Sequence, residues 1–274
     1  PATSHGSPPA DAAALLAHAL DCEPGELHRR VLLGHALAGD DPRQERFEAG
    51  VQRREAREPL QHVTGTAWFA GLGLEVGPGV FVPRPETELL VELAAERVLA
   101  LAGGAGPEAQ VEVVDLCTGS GAIAIAAARA GASHVTAVDA SADAIAYARR
   151  AAADAGVRIE VAHGDLRRHQ GRYDVVTCNP PYVPTPPESE SELHPAGPSH
   201  AWDAGLDGRA VLDPLCARVP ELLVPGGAFV LVHSEFADEE ASLRRAAEDE
   251  DYRIASDARR MATNKEIESE RIAA

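Results

Sequence analysis

The chain has 274 residues, of which 45% are hydrophobic and 25% charged, enough apolar side chain for one or two packed domains and an ordinary charge content that excludes a largely disordered chain. Its 25 Lys and Arg stand against 43 Asp and Glu, a formal net charge of −18. So acidic a surface repels a phosphate backbone, which disfavours a dedicated duplex-binding role and leaves room for a basic protein partner.

Pro1–Gly6 lacks the basic and then apolar pattern of a secretory leader, and no apolar run approaches the ~20 residues that span a bilayer. Residues 1–9 are small and Pro-rich and are expected to fray. Three helical patterns follow. Asp11–Leu20 repeats leucine at helical spacing, Glu26–Leu37 does so with Leu27, Val31, Leu32 and Leu33, and Pro42–Arg57 opens on Asp41-Pro42, a capping residue before a proline at the first helical position. Glu58-Pro59 stops that helix. Thr66–Val76 mixes aromatics, β-formers and glycines and predicts a short hairpin. Pro85 starts a helix expected to run through Ala100, and Gly103–Pro107 is a flexible break.

From Val111 strands and helices alternate. Strands are predicted at Val111–Leu116, His134–Asp139, Val157–Ala162, Tyr173–Cys178 and Ala228–His233, with helices at Ala122–Ala130, Ala142–Ala153 and Arg209–Leu223. This alternation predicts an α/β fold, a doubly wound and mostly parallel sheet covered on both faces. Pro184–Ala204 reads as an excursion beside the fourth strand. Ala237–Asp249 looks helical, Tyr252–Ala255 suits a short strand, and Met261–Ala274 shows no alternation.

Two loops at strand ends carry chemistry. Asp115-Leu116-Cys117-Thr118-Gly119-Ser120-Gly121 joins the first strand of the sheet to its helix, and its two glycines allow a tight turn and close approach of a ligand. Such a loop is also compatible with a plain strand–helix turn. Asp139 ends the second strand, 18 residues after Gly121, where a carboxylate can accept from both hydroxyls of a ribose. No third glycine follows as in a dinucleotide site, and no GxxxxGK[ST] is present. The loop resembles the S-adenosylmethionine loop of class I methyltransferases, in which Asp115 and the loop backbone would face the methionine part, Asp139 the ribose, and Asp165 or Leu166 the adenine.

The fourth strand runs straight into Asn179-Pro180-Pro181-Tyr182. Two consecutive prolines fix an extended turn and remove two N–H donors while keeping both carbonyls. The Asn179 side-chain oxygen and the Pro180 carbonyl can each accept one hydrogen of a planar NH2 group, with Tyr182 packed against it. An amide lone pair is delocalised, so pinning both hydrogens would orient the nitrogen for in-line attack on a sulfonium methyl. Positioning of that kind is worth ~7–11 kcal/mol in favourable cases, and fixed acceptors stabilise the charge that develops on nitrogen.

Arg57–Gly65, Gly79–Glu88, the DLCTGSGAIAI run Asp115–Ile125 and the NPPY tetrapeptide together resemble the bacterial release-factor glutamine methyltransferases, the PrmC/HemK family of class I S-adenosylmethionine-dependent enzymes, over roughly residues 10–235. The resemblance implies a Rossmann-like methyltransferase domain over residues 85–274, a β-hairpin linker over 65–84, and a helical substrate-recognition domain over 1–64. It implies methyl transfer from S-adenosyl-L-methionine to the N5 nitrogen of the glutamine in the Gly-Gly-Gln motif of peptide chain release factors. Asp115, Cys117, Thr118, Gly119, Ser120, Gly121, Asp139, Asp165, Leu166 and Asn179 would hold the cofactor. Asn179, Pro180, Pro181 and Tyr182 would hold the glutamine and carry catalysis, with Phe81, Arg84 and Glu86 lining the site.

The alternatives are an adenine-N6 nucleic-acid methyltransferase, which shares the tetrapeptide, and a divergent paralogue that methylates another protein. The 25-to-43 charge balance speaks against the first. The expected setting is a cytoplasmic monomer with a protein substrate, no direct nucleic-acid or membrane contact, and no metal. The eleven histidines show no HExxH spacing, the four cysteines form no CxxC pair, and Cys117 and Cys178 are read as small packing residues rather than a methyl relay.

Overall fold

The computed structural model describes residues 8–34, 41–104, 110–185, 197–233, 237–238 and 240–242. The first helix, α1 (Pro8–Ala19), is followed by α2 (Pro24–Leu32) and α3 (Pro42–Glu55). Gly34, at φ +70°, ends the second helix before the expected Leu37, its N–H bonding back to Val31 O at 3.0 Å; residues 35–37 lie outside the described residues. Asp41 caps α3 as its sequence implies, accepting from Arg43 N at 3.0 Å with Pro42 next in line. A fourth helix, α4 (Leu60–Thr64), was not expected. It lies between Pro59 and a left-handed Gly65, the proline-before and glycine-after pattern of a short helix. A part-buried ion pair, Arg54 Nε to Asp11 Oδ2 at 2.8 Å, ties α3 to α1.

The hairpin forms where its residues predict it. Strand β1 (Thr66–Phe69) pairs antiparallel with β2 (Leu72–Glu75) around the Ala70-Gly71 turn. Ala67, Phe69, Leu72 and Leu74 turn inward, and Trp68, on the other face, lies over Gly73. A short 3₁₀ turn (Pro85–Thr87) then leads into α5 (Glu88–Gly104).

The main sheet has five parallel strands in the spatial order β5-β4-β3-β6-β7: β3 (Glu112–Leu116), β4 (His134–Asp139), β5 (Glu160–His163), β6 (Tyr173–Cys178) and β7 (Leu223–Leu231). Helices α6 (Ala122–Arg129), α7 (Ala142–Asp154) and α8 (Leu212–Leu222) complete the doubly wound arrangement. On one face Val114, Leu116, Val138, Val176 and Cys178 pack with Leu215, Val219 and Leu222 of α8. On the other, Val113, Val135, Ala137 and Val175 meet Val98 of α5 and Ala124 and Ala127 of α6. Burial on both faces accounts for the runs of Val and Leu in place of alternation.

Two strands start three or more residues away from expectation. Strand β5 begins at Glu160, not Val157, because Gly156 N and Val157 N bond back to Ala153 O and Ala152 O at 3.1 Å each and close α7 with a Schellman turn. Strand β7 begins at Leu223, not Ala228. Val224-Pro225-Gly226-Gly227 reads as a turn, yet it runs in the strand, and a register shift between Tyr173 and Val175 absorbs its irregularity. Tyr252–Ala255, Met261–Ala274 and all of the expected helix Ala237–Asp249 except residues 237–238 and 240–242 lie outside the described residues. Among the described residues, no helix is long and apolar enough to cross a membrane.

Candidate active site

Strand order places the chemistry. The chain leaves β3 toward β4 on one side and later returns to β6 on the other, so the sheet's switch point lies between β3 and β6, where open α/β sheets bind ligands beyond the strands' carboxyl ends. Leu116 is registered with Cys178 on one side and with Val138 on the other, and Asp139 with His163. The glycine loop, Asp139, Asp165-Leu166 and the Asn179 tetrapeptide therefore leave four neighbouring strands at one edge of the sheet.

The loop after β3 is held from below. Asp115 is 0% exposed: its Oδ2 accepts from Thr118 Oγ1 at 2.6 Å and its Oδ1 from Thr177 Oγ1 at 2.8 Å. Burial pushes its carboxyl up to about 7 against the pull of these two hydroxyls, and the charge of Asp139 adds to the rise. Asp115 thus braces the loop from which the resemblance would have it face the cofactor. Thr177 was not foreseen; only the register of β3 with β6 brings it there. Thr118 and Ser120 are buried, so this stretch offers a ligand chiefly its backbone.

Cys117 (φ +57°), Gly119 (+56°) and Gly121 (+81°) all take left-handed conformations. A Cβ on Gly121 would lie 3.1 Å from Ala148 Cβ and 3.2 Å from Ala148 Cα, whereas one on Gly119 would meet nothing within 4 Å. Gly121 lets α6 pack closely on α7, and Gly119 leaves open the side a ligand would fill. Cys178 is buried, and burial pushes its thiol well up, with the Cys117 thiol beside it. A protonated buried thiol suits packing, not a nucleophilic relay.

Asp139 is half-buried. Its two oxygens accept from Gly119 N and Ser141 N, each at 2.8 Å, which fixes the carboxylate against the loop and leaves further lone pairs. Asp165 accepts from Arg167 N at 2.9 Å and is bracketed by the Arg167 guanidinium, which holds its carboxyl below the usual range. Its neighbour Leu166 is partly buried and packs against the core cluster that contains Val176 and Cys178 of β6.

Pro180 is buried, and Asn179, Pro181 and Tyr182 are half-buried. Asn179 Nδ2 donates to the hydroxyl of Thr87 at 3.1 Å. The excursion after the tetrapeptide folds back on it: Val183 N donates to Trp202 O and Ala204 N to Val183 O, both at 2.9 Å, and Thr185 N to Gly205 O at 2.8 Å. Gly208 ends this strap at φ +73°, where a Cβ would lie 2.6 Å from Tyr182 O. Neither Thr87 nor Gly208 was foreseen as a site residue, although Thr87 stands inside the Pro85-Glu86-Thr87-Glu88 run.

In the linker, the Arg84 guanidinium lies 5.5 Å from the Phe81 ring centroid, a cation–π contact between two of the expected lining residues. His62 anchors this loop from α4, with Nε2 3.0 Å from Val80 O. The side chain of Glu86 lies outside what the structure describes. Among the described residues, no group of His, Cys, Asp and Glu could hold a metal ion.

A family model described as the PrmC N-terminal domain matches residues 2–65, and one described as a methyltransferase domain matches residues 113–193. The chain is 41% identical over 239 residues to the release factor glutamine methyltransferase of Mycolicibacterium smegmatis, covering 84% of this chain and 78% of that one. It is 40% identical over 240 residues to the enzyme of the same name from Streptomyces coelicolor, covering 84% and 79%. It is also 37% identical over 233 residues to the 4-amino-L-phenylalanine/4-methylamino-L-phenylalanine methyltransferase of Streptomyces pristinaespiralis, covering 83% and 76%.

Proposed function

Since the chain belongs to the family of the release factor glutamine methyltransferases, we propose that it moves a methyl group from S-adenosyl-L-methionine to the side-chain amide nitrogen (N5) of the glutamine in the Gly-Gly-Gln motif of peptide chain release factors. One observation carries the reading. The proline-locked corner Asn179–Tyr182 leaves β6 beside the glycine loop of β3, and its asparagine is anchored through Nδ2.

The crevice fits the cofactor at Gly119, whose open side a Cβ would fill. Bound there, S-adenosyl-L-methionine supplies an electrophilic methyl carbon. Asp139 would accept the ribose hydroxyls with the lone pairs its two backbone bonds leave over, and Leu166 would flank the adenine. With Asn179 held through Nδ2, its Oδ1 and the Pro180 carbonyl can take the two hydrogens of the acceptor NH2. That geometry aims the nitrogen at the crevice and stabilises the positive charge it gains. Tyr182 would pack on the flat amide. The proton leaves to water after transfer, so no strong base is required. The reading puts the chain in the cytoplasm, where a translation factor would meet it.

The corner recognises a planar NH2 and not a whole protein, and the Streptomyces pristinaespiralis relative is named for an aromatic amine. The test therefore carries three acceptors. Incubated with radiolabelled S-adenosyl-L-methionine, the chain is expected to label a release factor and not its Gly-Gly-Gln→Gly-Gly-Ala variant. Label on 4-amino-L-phenylalanine or on DNA in place of the factor, or on the Ala variant, would overturn the proposal.

A further inference from the structure

We propose that Thr87 is a positioning residue for the Asn179 amide, setting the plane in which that amide meets the acceptor nitrogen. The inference rests on the reading of Asn179 as an acceptor-holding group.

Thr87 closes the 3₁₀ turn ahead of α5, its N–H bonded to Arg84 O at 2.9 Å. It is 4% exposed, an unusual place for a hydroxyl unless it has a partner. Its oxygen receives Asn179 Nδ2 at 3.1 Å from a residue 92 positions away. The terminal torsion of an asparagine is otherwise broad, so tying Nδ2 to a second element confines the amide to one plane. Among the described residues no donor is directed at Asn179 Oδ1, and the anchored amide thus turns its acceptor away from Thr87. A hydroxyl can donate as well as accept, so Thr87 does not choose which end of the amide it holds. The acceptor's NH2, which can only donate, makes that choice.

The turn that carries Thr87 is itself fixed. Glu88, the next residue, accepts from Ala70 N at the hairpin tip at 2.8 Å. Two adjacent side chains thus reach in different directions, Glu88 to the linker hairpin and Thr87 to the catalytic corner. A shift of the hairpin would be passed to the amide that orients the acceptor.

The sequence makes a direct test practical. The chain contains two asparagines, Asn179 and Asn264, so selective ¹⁵N-asparagine labelling gives two side-chain amide pairs, and Asn179→Ala assigns one of them. Thr87→Val is expected to shift the Asn179 pair and to lower kcat/KM for a Gly-Gly-Gln peptide about tenfold, the order of one lost hydrogen bond. Thr87→Ser should keep the resonance in place and stay within about threefold. If Thr87→Val does not fold, Thr87→Ala, which removes the hydroxyl without fitting a second methyl, is read in the same way. An unmoved Asn179 pair in the hydroxyl-free variant overturns the inference whatever the acceptor proves to be. Equal losses of turnover in the Ser and Val variants overturn it too, since they would mean that packing is what counts. Failure of the unaltered chain to label the peptide overturns the proposed acceptor alone and leaves the resonance test standing.

Discussion

Gly119 and Gly121 share a left-handed backbone but serve different neighbours, and alanine separates them. In Gly119→Ala the added methyl meets no protein atom within 4 Å, so the folded state should lose only the conformational strain of about 1 kcal/mol, while affinity for S-adenosylhomocysteine by calorimetry falls about tenfold or more as the methyl fills the ligand's place. In Gly121→Ala the methyl presses on Ala148, and strain plus overpacking should cost about 2–4 kcal/mol, seen as a clearly lower melting temperature. Equal melting temperatures would refute the distinction. Asp115 predicts a pH dependence. Its folded carboxyl titrates at about 7 against 3.8 for the free group, so between those values the folded state holds more protons, and stability falls as pH rises from about 4 to about 7. In Asp115→Asn that contribution is absent. Denaturant midpoints at pH 5 and pH 8 should therefore show the unsubstituted chain doing worse, relative to the variant, at pH 8.

Among the elements, the strap of residues 197–208 folds back on the segment after the tetrapeptide. Its backbone bonds to Val183 and Thr185, and the bond of Thr185 Oγ1 to Asp203 Oδ1 at 2.6 Å, hold the chain just beyond the tetrapeptide. Gly208→Ala would push against Tyr182 O. It should lower acceptor turnover at least tenfold and leave S-adenosylhomocysteine affinity within about twofold; an equal loss of both would mean that the strap supports the whole crevice. Strands buried on both faces, the Asp41-Pro42 cap and the Gly-containing hairpin were legible in the sequence because each depends on residues a few positions apart. Helix α4, the Schellman close of α7 and the early start of β7 were not. In the two helices a Pro or Gly that reads as a break is absorbed by a local backbone bond, and in β7 by a register with β6 that is set elsewhere in the fold.

For the molecule as a whole, α4 meets the linker through His62, which is 7% exposed and held to the Val80 carbonyl. Burial lowers its pKa, with the Val80 carbonyl opposing. The folded state then resists a proton that the unfolded chain takes up near 6.5, so this contribution is present above 6.5 and is lost as pH falls. His62→Gln should remove that loss, so that between pH 7 and pH 5 the variant's melting temperature falls less than that of the unsubstituted chain. The sign is opposite to that of Asp115, and the two variants separate the contributions. The sequence by itself determined the fold class and the family, and it singled out the candidate residues for the chemistry, because a GxG turn, an acidic strand end and a proline-locked asparagine are each written in consecutive residues. Tertiary structure alone decided how those residues are used: that Asp115 accepts from Thr177, that Asn179 is tied to Thr87, and that Gly208 underlies Tyr182. Those partnerships join residues far apart in the chain, and only the tertiary fold brings them into contact.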